Sequence, residues 1–140
     1  MNLKITYNTE NINWEIVSSI LAKAGLSSSD PEICKMAFQG SQVTVFAFDD
    51  GNMIGTARAI SDGVKQAAIY DVAILPEYQG KGIGKIMMES IMDKLPGCNF
   101  ILYANVGKET FYEKLGFRRL KTGMAKFVKT ELMANRGFTD

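Results

Sequence analysis

A chain of 140 residues falls within the usual span of one domain and can close a single hydrophobic core without cross-links, so residues 1–140 are expected to form one domain. With 46 % apolar and 22 % charged residues, the composition excludes disordered and membrane-embedded classes and predicts an ordinary soluble globular protein. Sixteen Lys and Arg against fifteen Asp and Glu leave a formal charge of +1, which does not supply the basic face that a nucleic-acid partner requires.

Cys34 and Cys98 lie far apart, neither has a second Cys nearby, and the chain has no His. Neither zinc-ligand spacing nor a Cys-His dyad can be built, so no metal is expected and both thiols read as buried small residues in a reducing cytoplasm. The start, Met1-Asn2-Leu3-Lys4-Ile5, lacks the pattern of a signal peptide, and no apolar run approaches the ~20 residues that span a bilayer. A cytoplasmic address without a membrane partner is the expectation.

In chain order, the alternation from Leu3 to Tyr7 predicts a strand. Asn13 to Ala24 places Ile16, Val17, Ile20 and Leu21 at helical spacing, with Asn13 as cap and Gly25 as stop. Ser27-Ser28-Ser29 reads as a short polar loop, and Asp30-Pro31 opens a second helix running to about Gln39. Val43 to Phe48 and Met53 to Ile60 predict strands joined by Asp49-Asp50-Gly51-Asn52, whose Gly and Asn tolerate the positive angles of a hairpin turn. Asp62-Gly63 marks the next turn, with Ser61 beside it, and Gln66 to Leu75 is the third strand of the meander.

Pro76 ends that strand, and a glycine-rich turn leads into an amphipathic helix through about Leu95, with Ile83, Met87 and Ile91 on one stripe. Met87, Met88 and Met92 read as core filling. Phe100 to Tyr103 predicts a strand, Glu109 to Leu115 a short helix closed by Gly116, and Phe117 to Val128 an irregular final strand. The order predicts an α/β fold: one mixed sheet with helices on both faces.

The chemistry is concentrated in Gln79-Gly80-Lys81-Gly82-Ile83-Gly84-Lys85. Glycines remove side chains where a backbone must approach a ligand, and a helix starting there adds unpaired N–H donors and its positive dipole end, a combination suited to a diphosphate. Lys81 and Lys85 add charge at the rim. The dinucleotide fingerprint needs Gly at the first, third and sixth positions, but counted from Gly80 the sixth is Lys85. A P-loop needs Gly-Lys followed by Ser or Thr, and Gly80-Lys81 is followed by Gly82.

The stretch from Val72 to Gly84 instead resembles the acetyl-CoA signature of the GNAT superfamily of N-acetyltransferases. A second stretch, Asn105 and then Phe111-Tyr112-Glu113-Lys114-Leu115-Gly116-Phe117, is similar to the other hallmark of that family. The resemblance implies a GNAT-type mixed sheet whose fourth strand, ending before Pro76, splays from the fifth, near Ala104, to leave a V-shaped cleft. It further implies acetyl-CoA as acyl-donor cosubstrate. Backbone groups of Val72, Ala73 and Ile74 would pair with pantetheine, the residues from Gln79 to Lys85 would hold the pyrophosphate, and Asn105, Phe111 and Tyr112 would contact the cofactor.

Acetyl transfer from a thioester to an amine needs a neutral amine, a polarised carbonyl and a proton for the departing thiolate. The resemblance makes Tyr112 the general acid. Without His, carboxylates or a water chain remain for the base; Asp71 interrupts an apolar strand near the cofactor's expected position and is the first candidate, with a structural carboxylate as its other reading. Glu77 reads as solvated or capping. Ser61 and Asp62 read as a turn before they read as an acceptor pocket. Trp14, Phe38 and the loop from Ser27 to Asp30 fall on the acceptor side in this fold, with core or surface roles equally open.

Gly55-Thr56-Ala57-Arg58-Ala59, Ser61-Asp62-Gly63 and Tyr70-Asp71-Val72 are more distantly similar to the branch containing plant arylalkylamine-acetylating enzymes. The leading expectation is acetylation of a small primary amine. The alternatives are a protein Lys or amino-terminal acetyltransferase and a non-catalytic acyl-CoA sensor. Monomer and homodimer both stay open, the last strand and the tail from Thr130 to Asp140 being candidates for pairing with another subunit.

Overall fold

Five consecutive buried residues, Val43 to Ala47, dictate the architecture, because a strand covered on both faces must lie between two layers. The computed structural model describes residues 1–26 and 30–140; the polar loop expected at Ser27-Ser28-Ser29 lies outside them. The chain divides into two units, Met1–Leu102 and Tyr103–Asp140.

The first unit holds a sheet of β1 (Leu3–Thr6), β2 (Val43–Asp49), β3 (Asn52–Ser61), β4 (Gln66–Ile74) and β5 (Asn99–Ile101), in that spatial order. Pairing is antiparallel except between β4 and β5, which run parallel. The β2–β3 connection lies where the sequence places it, but the positive angles fall on Asp50 (φ 48°) and Gly51 (φ 81°), not on Asn52.

Helix α1 (Trp14–Lys23) begins where Asn13 Oδ1 accepts the N–H groups of Glu15 and Ile16 at 3.1 and 3.3 Å. It stops at Gly25, whose φ of 85° lets the Leu26 N–H return to the Leu21 carbonyl at 2.9 Å. Helix α2 (Pro31–Gln39) is capped by Asp30 Oδ1, 2.8 Å from Glu32 N and 3.1 Å from Ile33 N, with Pro31 in the first turn.

On one face of the sheet α1 and α2 bury Val17, Ile20, Leu21, Cys34 and Phe38 against Phe46, Met53 and Ala73. Trp14 packs 5.7 Å from Phe38, and Phe38 stacks 5.6 Å from Phe46, so Phe38 is a core residue and Trp14 is half-buried against that core. Alternation along β2 turns Val45 and Ala47 to the other face, which α3 (Ile83–Lys94) covers with buried Ile83, Met87, Met88 and Ile91. Each such side chain contributes roughly 1.5–3 kcal/mol by leaving water. Cys34 is buried and Cys98 half-buried, and neither forms a disulfide.

The second unit contains α4 (Glu109–Glu113) and α5 (Thr130–Asn135). Three expectations need correction. β5 covers 99–101, not 100–103, because its ladder with β4 ends at Ala68↔Ile101. Helix α4 ends at Glu113, not Leu115, since the turn into Gly116 (φ 94°) uses the last residues for a left-handed cap. No strand forms from Phe117 to Val128: the segment has no ladder partner among the described residues, and Leu120, Met124 and Val128 are exposed rather than alternating inward. In the tail, Thr130 to Asn135 forms α5, closed by Gly137 (φ 88°) with Phe138 N–H returning to the Met133 carbonyl at 3.0 Å.

Candidate functional site

The second edge of β4 is laddered over only part of its length among the described residues. Its pairing with β5 covers only Gln66, Ala67 and Ala68, so the stretch from Ile69 to Ile74 continues without a β5 neighbour. Leu75 N–H donates to the Ile54 carbonyl at 2.9 Å. Antiparallel alternation then turns the main-chain groups of Ala73 toward Thr56 on β3 and those of Val72 and Ile74 toward the open side. Of the three residues expected to pair with an extended ligand, Val72 and Ile74 have the outward orientation.

Beyond β4, Pro76–Tyr78 forms a 3-10 turn that is moored twice. Tyr78 donates its hydroxyl to Asp49 Oδ2 at 2.7 Å, and Asp49 Oδ1 accepts the Asn2 N–H at 2.9 Å. The phenol's hydrogen bond holds Asp49 below the usual carboxylate range, and the same bond pushes the Tyr78 phenol up. Lys81 Nζ lies 5.3 Å from the Tyr78 ring centroid. Gln79 extends its amide back to the Ile74 carbonyl at 3.0 Å, locking the end of β4 to the glycine turn. Glu77 is exposed.

Gly80 and Gly82 adopt φ of 78° and 82°, angles that disfavour any residue with a Cβ, and a Cβ built on either meets nothing within 4 Å. Glycine is therefore required here by backbone angle, and the space above both residues is open. Gly82 is the cap of α3 and offers no side-chain acceptor, so the first N–H groups of this 12-residue helix face outward without a capping partner from it. Lys85 is exposed and only loosely paired, 3.8 Å from Glu89. Together these groups make an electropositive cradle suited to a diphosphate. Behind it Gly55 permits close packing: a Cβ there would sit 3.1 Å from the Ala73 carbonyl oxygen and 3.1 Å from Met87 Sδ.

Asp71 sits at a break in the β3–β4 register, with φ of 55°. Its carboxylate is 2.7 Å from Arg58 Nε, and its carbonyl accepts the Thr56 hydroxyl at 3.2 Å. Arg58 has no site role among the sequence expectations, and its signal is that of a lone cation in the middle of an apolar strand. Ser61 and Asp62 form the turn: Asp62 Oδ1 accepts the N–H groups of Val64, Lys65 and Gln66 at 2.8, 2.7 and 3.1 Å, which hold the carboxyl below its ordinary value.

In the second unit, Tyr112 lies on α4 with its ring 4.9 Å from Phe111 and 6.0 Å from Phe117. The Leu115-Gly116-Phe117 hallmark is a helix cap in physical terms: Phe117 N–H returns to the Tyr112 carbonyl at 3.1 Å and Gly116 N–H to Glu113 at 3.0 Å. Burial pushes the Tyr112 phenol up to about 12. Asn105 is half-buried, and its carbonyl accepts the Lys108 N–H at 2.9 Å in the turn leading to α4.

Residues 9–117 match the sequence model of the Acetyltransferase (GNAT) family. GCN5-related N-acetyltransferase 1, chloroplastic, of Arabidopsis thaliana is 32 % identical over 114 residues, 78 % of this chain and 58 % of that protein. Serotonin N-acetyltransferase 2, chloroplastic, of Oryza sativa is 33 % identical over 109 residues, 72 % of this chain and 54 % of its own length. The chain thus spans little more than half of either plastid relative. The solved structure of a GNAT family acetyltransferase from Streptococcus pneumoniae superimposes with a TM-score of 0.77 at 25 % identity, covering 91 % of this chain and 98 % of that one.

Proposed function

Because the chain belongs to the GNAT acetyltransferase family, we propose that it transfers acetyl from acetyl-CoA to the nitrogen of a small primary amine. The observation that carries the reading is the left-handed pair Gly80 and Gly82 opening α3 just after the end of β4, which pairs with β3 but has no β5 neighbour. A strand edge suits the extended pantetheine arm, with the main-chain groups of Val72 and the N–H of Ile74 beside Ala73, and the cradle from Gln79 to Lys85 suits the diphosphate. Asn105 and Phe111 are proposed as further cofactor contacts on the family pattern. Residues 1–140 are read as one acetyltransferase domain because the family match runs from residue 9 to 117 across both units.

In the proposed reaction the amine nitrogen attacks the thioester carbonyl, the C–S bond breaks, and the thiolate takes a proton. Tyr112 fits the donor role: a phenol at about 12 stays protonated at neutral pH. Asp71 is the proposed base, accepting the proton that the amine loses. Likeness to the rice serotonin N-acetyltransferase supports a small amine, while likeness of a shorter stretch to the soybean histone acetyltransferase TAP1 supports the protein-substrate alternative. Among the described residues no helix is long and apolar enough to cross a membrane.

The test is acetyl-CoA turnover by the wild type and by Tyr112→Phe on a panel of arylalkylamines, aliphatic amines and Lys-containing peptides. Turnover of small amines, lowered about 10²-fold or more by Tyr112→Phe, is the expected result. Tight acetyl-CoA binding without turnover of any acceptor would favour a sensor; equal rates for both forms would remove Tyr112 from the mechanism.

A further inference from the structure

Arg58 makes four side-chain contacts on the sheet face that α1 and α2 cover. Its Nε donates to Asp71 Oδ2 at 2.7 Å and its Nη1 to Ser41 Oγ at 3.3 Å, and its guanidinium carbon lies 5.8 Å from the Phe38 ring centroid and 5.3 Å from that of Tyr70. The side chains of Arg58 and Asp71 are 15 % and 27 % exposed, so the pair is shielded yet remains within reach of solvent. A planar guanidinium lying near two rings and bonded through two of its nitrogens has little freedom to turn, and neither does the carboxylate attached to it.

Asp71 has the opposite problem. It stands at the extra residue of a β-bulge with φ of 55°, a backbone state that few non-glycine residues favour, and its carbonyl is fixed by Thr56.

We propose that Arg58 is the positioning residue for Asp71 in amine acetylation. The ion pair occupies Oδ2 and so assigns proton acceptance to Oδ1. In the step concerned, an N–H bond of the acceptor breaks, an O–H bond forms on Oδ1, and Arg58 keeps all its protons throughout. Ser41 and the Phe38 and Tyr70 rings hold Arg58, Arg58 holds Asp71, and the bulge sets the base beside Val72, whose main-chain groups face the open edge. The inference rests on the proposed role of Asp71.

Steady-state kinetics on wild type, Arg58→Lys, Arg58→Gln, Asp71→Asn and the Arg58→Gln/Asp71→Asn double variant test it, each assayed well below its own unfolding midpoint. Arg58→Gln should lower kcat by about 30-fold or more while the KM for acetyl-CoA moves less than about 3-fold, and the double variant should be no slower than the slower single one. Arg58→Lys, which keeps the charge but lacks the fork, should fall between Arg58→Gln and wild type; should Arg58→Gln fail to fold, a lowered kcat at constant KM in Arg58→Lys supports the proposal and a wild-type kcat overturns it. A kcat for folded Arg58→Gln within about 3-fold of wild type, or losses that multiply in the double variant, would also overturn it. A wild type that binds acetyl-CoA and acetylates no amine removes the activity itself, whereas an active wild type with equally active Arg58 variants removes only the role of Arg58.

Discussion

Gly82 allows the cofactor site to be tested apart from the fold. At φ 82° and ψ 3° it occupies the left-handed region, where a side chain costs about 1–2 kcal/mol for Ala and less for Asn, which tolerates that region. A Cβ there meets nothing within 4 Å, so no clash adds to the strain. Gly82→Ala should therefore lower stability by about 1 kcal/mol, a shift of roughly 3–4 °C in Tm for a chain of this size, and Gly82→Asn by less. Acetyl-CoA affinity should respond on a different scale.

A Glu at the same position sets one negative charge about 5 Å from a diphosphate carrying about two, worth roughly 1–2 kcal/mol of repulsion even in a water-like dielectric. Crowding of the first N–H groups of α3 adds to this, so Gly82→Glu should weaken binding by about 10²-fold while its Tm stays close to that of Gly82→Ala. Thermal unfolding and calorimetric titration with acetyl-CoA, carried out on all three variants, separate the two effects. Wild-type affinity in a folded Gly82→Glu protein would refute the diphosphate assignment, and a Tm loss in Gly82→Ala several times larger than stated would refute the open geometry above Gly82.

Gly55→Ala should destabilise by about 1–2 kcal/mol in urea unfolding, because the added Cβ meets the immobile Ala73 carbonyl at 3.1 Å and the entropy gained by replacing glycine offsets only part of that. Tyr112 has a folded value of about 12 against an unfolded one near ~10, so the unfolded chain loses this proton first as pH rises. Its contribution is intact below pH ~10 and falls by roughly 2–3 kcal/mol as pH climbs toward ~12; in urea unfolding at several alkaline pH values, Tyr112→Phe should decline less steeply than wild type. Asp62, held below its ordinary value by three backbone donors, contributes stability above pH ~4 that is lost as pH falls through its lower folded value. Asp62→Ala should accordingly lower Tm at neutral pH and flatten the acid limb, as followed by circular dichroism.

Local chemistry made much of the fold legible in the sequence. Asn13 and Asp30 cap the helices they precede, Gly25 ends α1, and the strands of the meander lie within a residue or so of their hydrophobic runs, since caps, left-handed glycines and alternation act over a few neighbouring residues. The cradle was legible for the same reason: Gly80 and Gly82 are demanded by backbone angle. The signals for α5 are local as well, good helix formers followed by Gly137.

The sequence by itself determined the α/β order, the capped helices and the glycine turn, because each depends on contacts within a few residues. Only the tertiary structure decided that Phe117 to Val128 joins no strand ladder among the described residues, that β5 stops at Ile101, and that Asp71 turns left-handed to meet Arg58 thirteen residues earlier in the chain. Ladder partners, bulges and ion pairs across strands depend on register, and register is a relation between distant segments that no local pattern contains.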